Sequence, residues 1–281
     1  MAIVLALGAA AFYGSSDFMG AVVSRRHAVL AVAFGAQLAG LLTLAVVIPF
    51  LGHASVGPND LLAGAAAGVF GGVGLLAVYR CLARGPMSVV APTTALSASA
   101  VPVVAGIALG ERPGPTAFLG IAVAFVAVAL ITREAPAPGE IRPRLDLGLL
   151  APSLAAGGIL GLFFVFLGGA SPDAGLFPLL AARVTSVAIL GGLMAAQRTA
   201  LVREPRHLGI VLLSGVLDMT ANVLFLLASH SGMLAVVAAI TGLYPASTIL
   251  LAQQRLDERL SPVQVAGLGT AAVAAVLVAI T

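Results

Sequence analysis

Leu109-Gly110-Glu111-Arg112-Pro113-Gly114-Pro115 returns 147 residues later as Leu256-Asp257-Glu258-Arg259-Leu260-Ser261-Pro262. At the same offset, positions 85–130 match positions 232–277 without a gap at sixteen of 46 places. Matches of Ala, Val or Leu are cheap in so apolar a chain. The informative ones are Gly85/Gly232, Thr94/Thr241, Glu111/Glu258, Arg112/Arg259, Pro115/Pro262 and Gly120/Gly267. A repeat of this length means two similar halves.

Composition identifies the solvent around them. Of 281 residues, 60% are hydrophobic and 9% charged, and the mean hydropathy is +1.12. A soluble domain of this size needs a charged surface that this chain cannot supply. The apolar runs repeatedly reach the ~20 residues with which a helix crosses a ~30 Å hydrocarbon core. They lack the alternation of barrel strands, so helices are expected. Ten spans fit: 2–23, 29–51, 60–83, 87–109, 115–132, 148–169, 175–196, 208–229, 233–253 and 261–281. Breaks such as Gly57-Pro58-Asn59-Asp60 and Ser171-Pro172-Asp173 separate them. The longest polar segment, 133–146, holds three prolines and six charges. The expected fold is an all-α membrane protein of ten transmembrane helices, built as two inverted five-helix repeats. The first occupies 1–132 and the second 148–281, around a polar linker at 133–147.

An odd number of helices per half turns the second half upside down, and the arginines test this. All fourteen basic residues are Arg. Loops after the first and third spans carry Arg25, Arg26, Arg80 and Arg84, and their counterparts in the second half carry none. The other first-half loops hold only Arg112, whereas their counterparts hold Arg198, Arg203, Arg206, Arg255 and Arg259. With Arg133, Arg142 and Arg144 in the linker, one side receives twelve arginines and the other one. The positive-inside rule then places the linker (133–146) in the cytoplasm and both termini outside, in the inner membrane. Arginines scattered in this way are orientation signals, so the pI near 9.7 does not point to nucleic acid. Cys81 is the sole cysteine, which excludes an intramolecular disulfide. The N-terminus is apolar with no basic stretch before it, so the first run is read as a retained helix and not a cleaved signal.

No nucleophile motif, phosphate loop or His/Cys metal spacing is present, so no catalytic residue, cofactor or metal is expected. His27, His53 and His207 fall in loops and read as separate solvated residues. The ionisable groups well inside spans are Asp17, Arg183 and Asp218. Each costs ~2.5–3.5 kcal/mol in hydrocarbon, so each should face a wet cavity or a partner. Asp218 lies at the middle of its span with Asn222 one turn on, on the same face. It is the expected coupling or cation-binding carboxylate, with a structural ion pair as the alternative. Gly14-Ser15-Ser16 reads as a helix break that lets Asp17 line a vestibule or cap the break. Arg183 either binds an anionic group or neutralises an Asp. Thr93, Thr94 and Ser97 in one half, and Thr241, Tyr244 and Ser247 beside Pro245 in the other, offer hydroxyls for a midplane pathway. The alternative is that they bond back to their own helices. Glu111 and Glu258 read as caps or ion-pair partners of the helices that follow them. Gly64-x-x-x-Gly68 and Gly157-Gly158-x-x-Gly161 read as close packing.

The doubled stretch, Leu-Gly-Glu-Arg at 109–112 and Leu-Asp-Glu-Arg at 256–259, is followed by Pro115 and Gly120 in one copy and by Pro262, Gln264 and Gly267 in the other, and resembles the drug/metabolite transporter superfamily. The likeness is to its EamA-type ten-helix members. The stretches 85–94 and 232–245 resemble that family's fourth helix, and Phe177-Pro178 with Arg183 its second. The resemblance spans essentially the whole chain. It departs at Gln37, which stands near where the family's arginine would fall, and in the absence of a first-half counterpart to Pro245. It implies a secondary transporter, not an enzyme, that exports a small metabolite by alternating access with protons as the expected coupling ion. The rival readings are a multidrug or organic-cation exporter, a subunit of a lipid-linked-substrate flippase, and a non-transporting membrane partner. The expected partners are a small-molecule substrate, the lipid bilayer and protons, in a monomer or homodimer.

Overall fold

A computed structural model of the chain describes residues 1–50, 54–85, 87–131, 147–256 and 261–279. Residues 132–146, which take in all but the last position of the linker, His53 and the second Glu-Arg motif at 257–260 lie outside the described residues. Among those described there are eleven α-helices and no strand. They are α1 (Ala2–Ser24), α2 (Val29–Val47), α3 (Pro58–Arg84), α4 (Met87–Ala108), α5 (Pro115–Ile131), α6 (Leu147–Gly168), α7 (Phe177–Gln197), α8 (Pro205–Ser231), α9 (Leu234–Thr241), α10 (Pro245–Leu256) and α11 (Pro262–Ala279). Six are long and apolar enough to cross a membrane: α1, α2 with the turn after it, α3, α6, α7 and α8. Four shorter apolar stretches, in α4, α5, α9–α10 and α11, complete the ten expected spans.

Proline opens α3, α5, α8, α10 and α11. In a first turn its missing N–H costs nothing, because that donor has no intrahelical partner. Before α11, Ser261 and Gln264 cap reciprocally: Gln264 Oε1 accepts from Ser261 N at 2.9 Å, and Ser261 Oγ accepts from Gln264 N at 3.2 Å.

The ninth span, expected as one helix over 233–253, is broken. α9 ends at Thr241, the chain turns through Gly242, Leu243 and Tyr244, and α10 restarts at Pro245. Pro245 has no N–H to give the Thr241 carbonyl, and its ring crowds that carbonyl. Tyr244 N takes the vacated acceptor instead, at 3.1 Å. In the first half, Ala95 and Ala98 stand where Gly242 and Pro245 stand in the second, and α4 runs unbroken. The expected break at Gly14-Ser15-Ser16 is absent, and α1 continues through it. The Ser15 hydroxyl bonds back to the Ala11 carbonyl, and that of Ser16 donates to the Ser214 carbonyl on α8, each at 2.8 Å. Gly14 is there for a crossing: a Cβ would strike the Tyr244 carbonyl and the Ser247 and Thr248 hydroxyls of α10.

Neither half packs chiefly on itself. α1 packs on α8, α9 and α10, with α2 also on α8, which makes one bundle. α3 packs on α6 and α7, with α4 also on α6, which makes the second. α5 pairs with α11, and α2 meets α7 where the bundles face each other. Shifting by 147 residues exchanges the two bundles, so an approximate twofold relates them. The crossings repeat as well. A Cβ on Gly68 of α3 would strike the Ala182 carbonyl of α7, and one on Gly215 of α8, 147 residues on, would strike the Ala36 carbonyl of α2. Both glycines let backbones meet where any side chain would hold them apart.

Candidate transport site

Between the bundles lies a cavity whose empty space, open mouth included, is about 530 Å³. Tyr13 and Asp17 of α1 and Asp218 and Asn222 of α8 line one wall. Leu160 and Phe164 of α6 and Gly71 and Leu75 of α3 line the other. These eight are repeat counterparts at the 147-residue offset: 13 with 160, 17 with 164, 71 with 218, and 75 with 222. The backbone keeps its twofold while the chemistry does not. Among these eight, every polar residue stands on the first bundle, and every counterpart across from it is apolar or glycine.

Two side chains, Arg183 and Ser186, reach across from the second bundle. The Arg183 guanidinium, on α7, donates to Gln37 Oε1 of α2 and to the Asp218 carboxylate. Ser186, one turn on, donates to the same Gln37 oxygen at 3.0 Å. Asn222 Nδ2 donates to the Asp218 carboxylate at 3.1 Å and to its own helix at 2.6 Å. The Tyr13 hydroxyl then donates to Asn222 Oδ1 at 2.9 Å. Arg183 is 4% exposed and Asn222 1%. A charge so placed is tolerable only when paired and hydrogen-bonded, and Asp218 supplies the pair while Gln37 supplies a second acceptor. Gln37 and Arg183 are near-counterparts, 146 residues apart, on the two helices that meet across the twofold. A second arginine at Gln37 would face the first with like charge; glutamine offers an acceptor.

Of the residues singled out in the sequence, Asp17, Arg183, Asp218, Asn222 and Tyr244 line this cavity. Asp218, the expected coupling carboxylate, is taken up by Arg183 and Asn222. Asp17 has no hydrogen bond or ion pair among the described residues. It stands between the main cavity and a smaller one, which Thr94 and Tyr244 also line. The Thr94 hydroxyl bonds back to the Val90 and Ala91 carbonyls at 2.9 and 3.0 Å. Ser97 bonds back to Thr93 and Thr94 and packs over Gly157, and it lines neither cavity. The Thr241 hydroxyl is buried with no partner among the described residues, beside a third small cavity that includes Ser99, Phe164 and Tyr244.

Sequence reasoning missed Tyr13 and Ser186 and treated Gln37 only as a departure from pattern. Tyr13 lies four residues before Asp17 and so shares its face, a signal that was available. Two further readings are corrected. Glu111 caps α9 of the other half, not the α5 that follows it, accepting from Leu234 N at 2.6 Å and Ala235 N at 2.9 Å. A carboxylate there matches the free donors and positive end of a helix start. His27 and His207, outside the cavity lining, are not separate: their ring nitrogens are 2.8 Å apart.

A family model described as the EamA-like transporter family matches residues 1–133 and 148–280. A solved structure described only as a crystal structure of a protein aligns with a TM-score of 0.76 at 12% identity, covering 99% of this chain and 96% of its own. At that identity the likeness is one of fold. No curated protein matches the chain.

Proposed function

Because the chain belongs to the EamA-like transporter family, and is a membrane transporter of the drug/metabolite type, we propose that the cavity between the bundles is its substrate and coupling site, used by alternating access. The observation that carries this is the division of the cavity into a polar wall and an apolar one. Two carboxylates, Asp17 and Asp218, stand against one guanidinium, Arg183, which leaves one formal negative charge without a partner. A small metabolite with a cationic group and an apolar body fits that division. The cation meets Asp17, and the body lies on Phe163, Phe164 and Leu160. Asp17, taking either a proton or the substrate's cation, couples the two by competition. Asp218 holds Arg183 and is structural in this scheme. Transport runs outward in exchange for protons. The arginine distribution sets the orientation in the inner membrane, with both termini outside and the linker cytoplasmic. The same net charge favours, as a second reading, an exporter of organic cations of wider kind.

A thermal-shift screen of the purified chain against amines, amino acids, sugars and nucleosides tests this, because a bound ligand stabilises by mass action. Amines with an apolar body should raise the melting temperature of the wild type and leave Asp17→Asn unmoved. Stabilisation by anions or sugars that survives Asp17→Asn would overturn the proposal.

A further inference from the structure

Where α8 begins, it meets the loop between α1 and α2. Glu204 precedes the helix, and His207 is in its first turn. His207 Nδ1 is 2.8 Å from His27 Nε2 and 2.8 Å from Glu204 Oε2, and the last two atoms are 3.9 Å apart. The rings cross at 74°, edge to face, so one ring points a nitrogen at the other and the two do not stack. His207 is buried, His27 half-buried and Glu204 exposed.

These contacts cannot all be hydrogen bonds. A neutral imidazole nitrogen carries either a hydrogen or a lone pair. If His207 Nδ1 carries the hydrogen and gives it to Glu204, His27 meets a donor already committed. If it is bare and accepts from His27, it turns a lone pair on a carboxylate oxygen. Either way one contact is left without a hydrogen of its own, a gap that a bound cation would close.

The opposite face of the molecule provides the control. Gly57 and Asp60 at the start of α3 are the counterparts of Glu204 and His207, 147 residues back. There Asp60 accepts from Gly57 N at 2.9 Å and from Ser171 N of the α6–α7 loop at 2.8 Å. The tie between helix start and loop exists at both faces. At α3 each contact has its own hydrogen, and at α8 one nitrogen must serve two contacts.

We propose that His27, Glu204 and His207 form a transition-metal site, taking zinc or a similar ion with water in the fourth position, that ties the α1–α2 loop to α8. Zinc with bonds of about 2.0–2.1 Å in tetrahedral geometry sets its ligand atoms about 3.3 Å apart, and the three observed separations bracket that figure. Two imidazoles and one carboxylate suit zinc, nickel or copper. Magnesium and calcium require more oxygens than the site offers. Arg25, Arg26, Arg203 and Arg206 lie near in sequence and work against any ion held by charge alone.

The test uses the full chain in detergent, without a histidine tag, stripped with chelator and titrated with zinc chloride or magnesium chloride. The wild type should retain about one zinc per chain after desalting and melt several degrees higher with zinc but not with magnesium. His27→Asn and His207→Asn should each lose both effects, and His230→Asn, outside the cluster, should keep both. His27 is half-buried in a loop, so His27→Asn decides the matter even if His207→Asn fails to fold. A wild type that retains no zinc, or an unchanged zinc effect in His27→Asn, overturns the assignment. So does a rise of equal size on acidification to about pH 5.5 with chelator present, to which zinc adds nothing, because protons would then fill the gap.

Discussion

Arg183 of α7 donates to the carboxylate of Asp218 on α8, and so joins the two bundles across the cavity that separates them. The two side chains are 5% and 15% exposed, so each charge depends largely on the other for its solvation. Arg183→Ala and Asp218→Ala should each destabilise the protein by about 3–5 kcal/mol, the cost of leaving a buried charge alone. The double variant should lose less than the sum of the singles, and thermal melting in detergent measures the cycle. Additive losses would mean that the pair carries no coupling.

The glycine crossings make a second expectation. Gly68→Ala and Gly215→Ala place a methyl group against a backbone carbonyl that cannot swing aside, and each should cost about 1–3 kcal/mol. A Cβ on Gly158 of α6 meets nothing within 4 Å, so Gly158→Ala should be neutral or stabilise by about 0.5–1 kcal/mol. Equal effects at Gly68 and Gly158 would contradict the packing described.

Glu111 reaches from one half to cap α9 of the other. Glu111→Ala should lower stability by about 1–2 kcal/mol and speed amide hydrogen exchange at Leu234 and Ala235. Glu111→Gln keeps an acceptor and should lose less. Exchange that changes at the start of α5 and not at α9 would restore the capping role first read from the sequence.

Orientation is open to labelling. In a Cys81→Ser background, Ser55→Cys should react with an impermeant reagent added outside intact cells, and Gly139→Cys should not. The reverse pattern would invert the topology and leave the repeat intact.

The ten spans were legible because lipid enforces length and apolarity, and the doubled Glu-Arg motif made the repeat visible. The broken ninth span was not, although Pro245 was noticed. A proline alone only kinks many helices, and the second requirement, Gly242 lying against the Ser99 hydroxyl, exists only in the fold. Asp218 and Asn222 were found because they share one helix face. Their partners were harder, since Tyr13 is 209 residues from Asn222 and an aromatic in an apolar run looks like core. The role given to Asp218 rested on its depth, whereas the structure separates the two acids by who holds them. The histidine contact spans 180 residues and had no local signal at all.

The central claim is that Asp17, the carboxylate without a partner, couples transport to protons while Asp218 serves the bundle contact. Its most direct test is flux in proteoliposomes under an imposed pH gradient, with an amine selected by the thermal screen. Asp17→Asn should abolish gradient-driven accumulation and keep exchange of labelled for unlabelled substrate. Full gradient-driven accumulation by Asp17→Asn, with its pH dependence unchanged, would contradict the account.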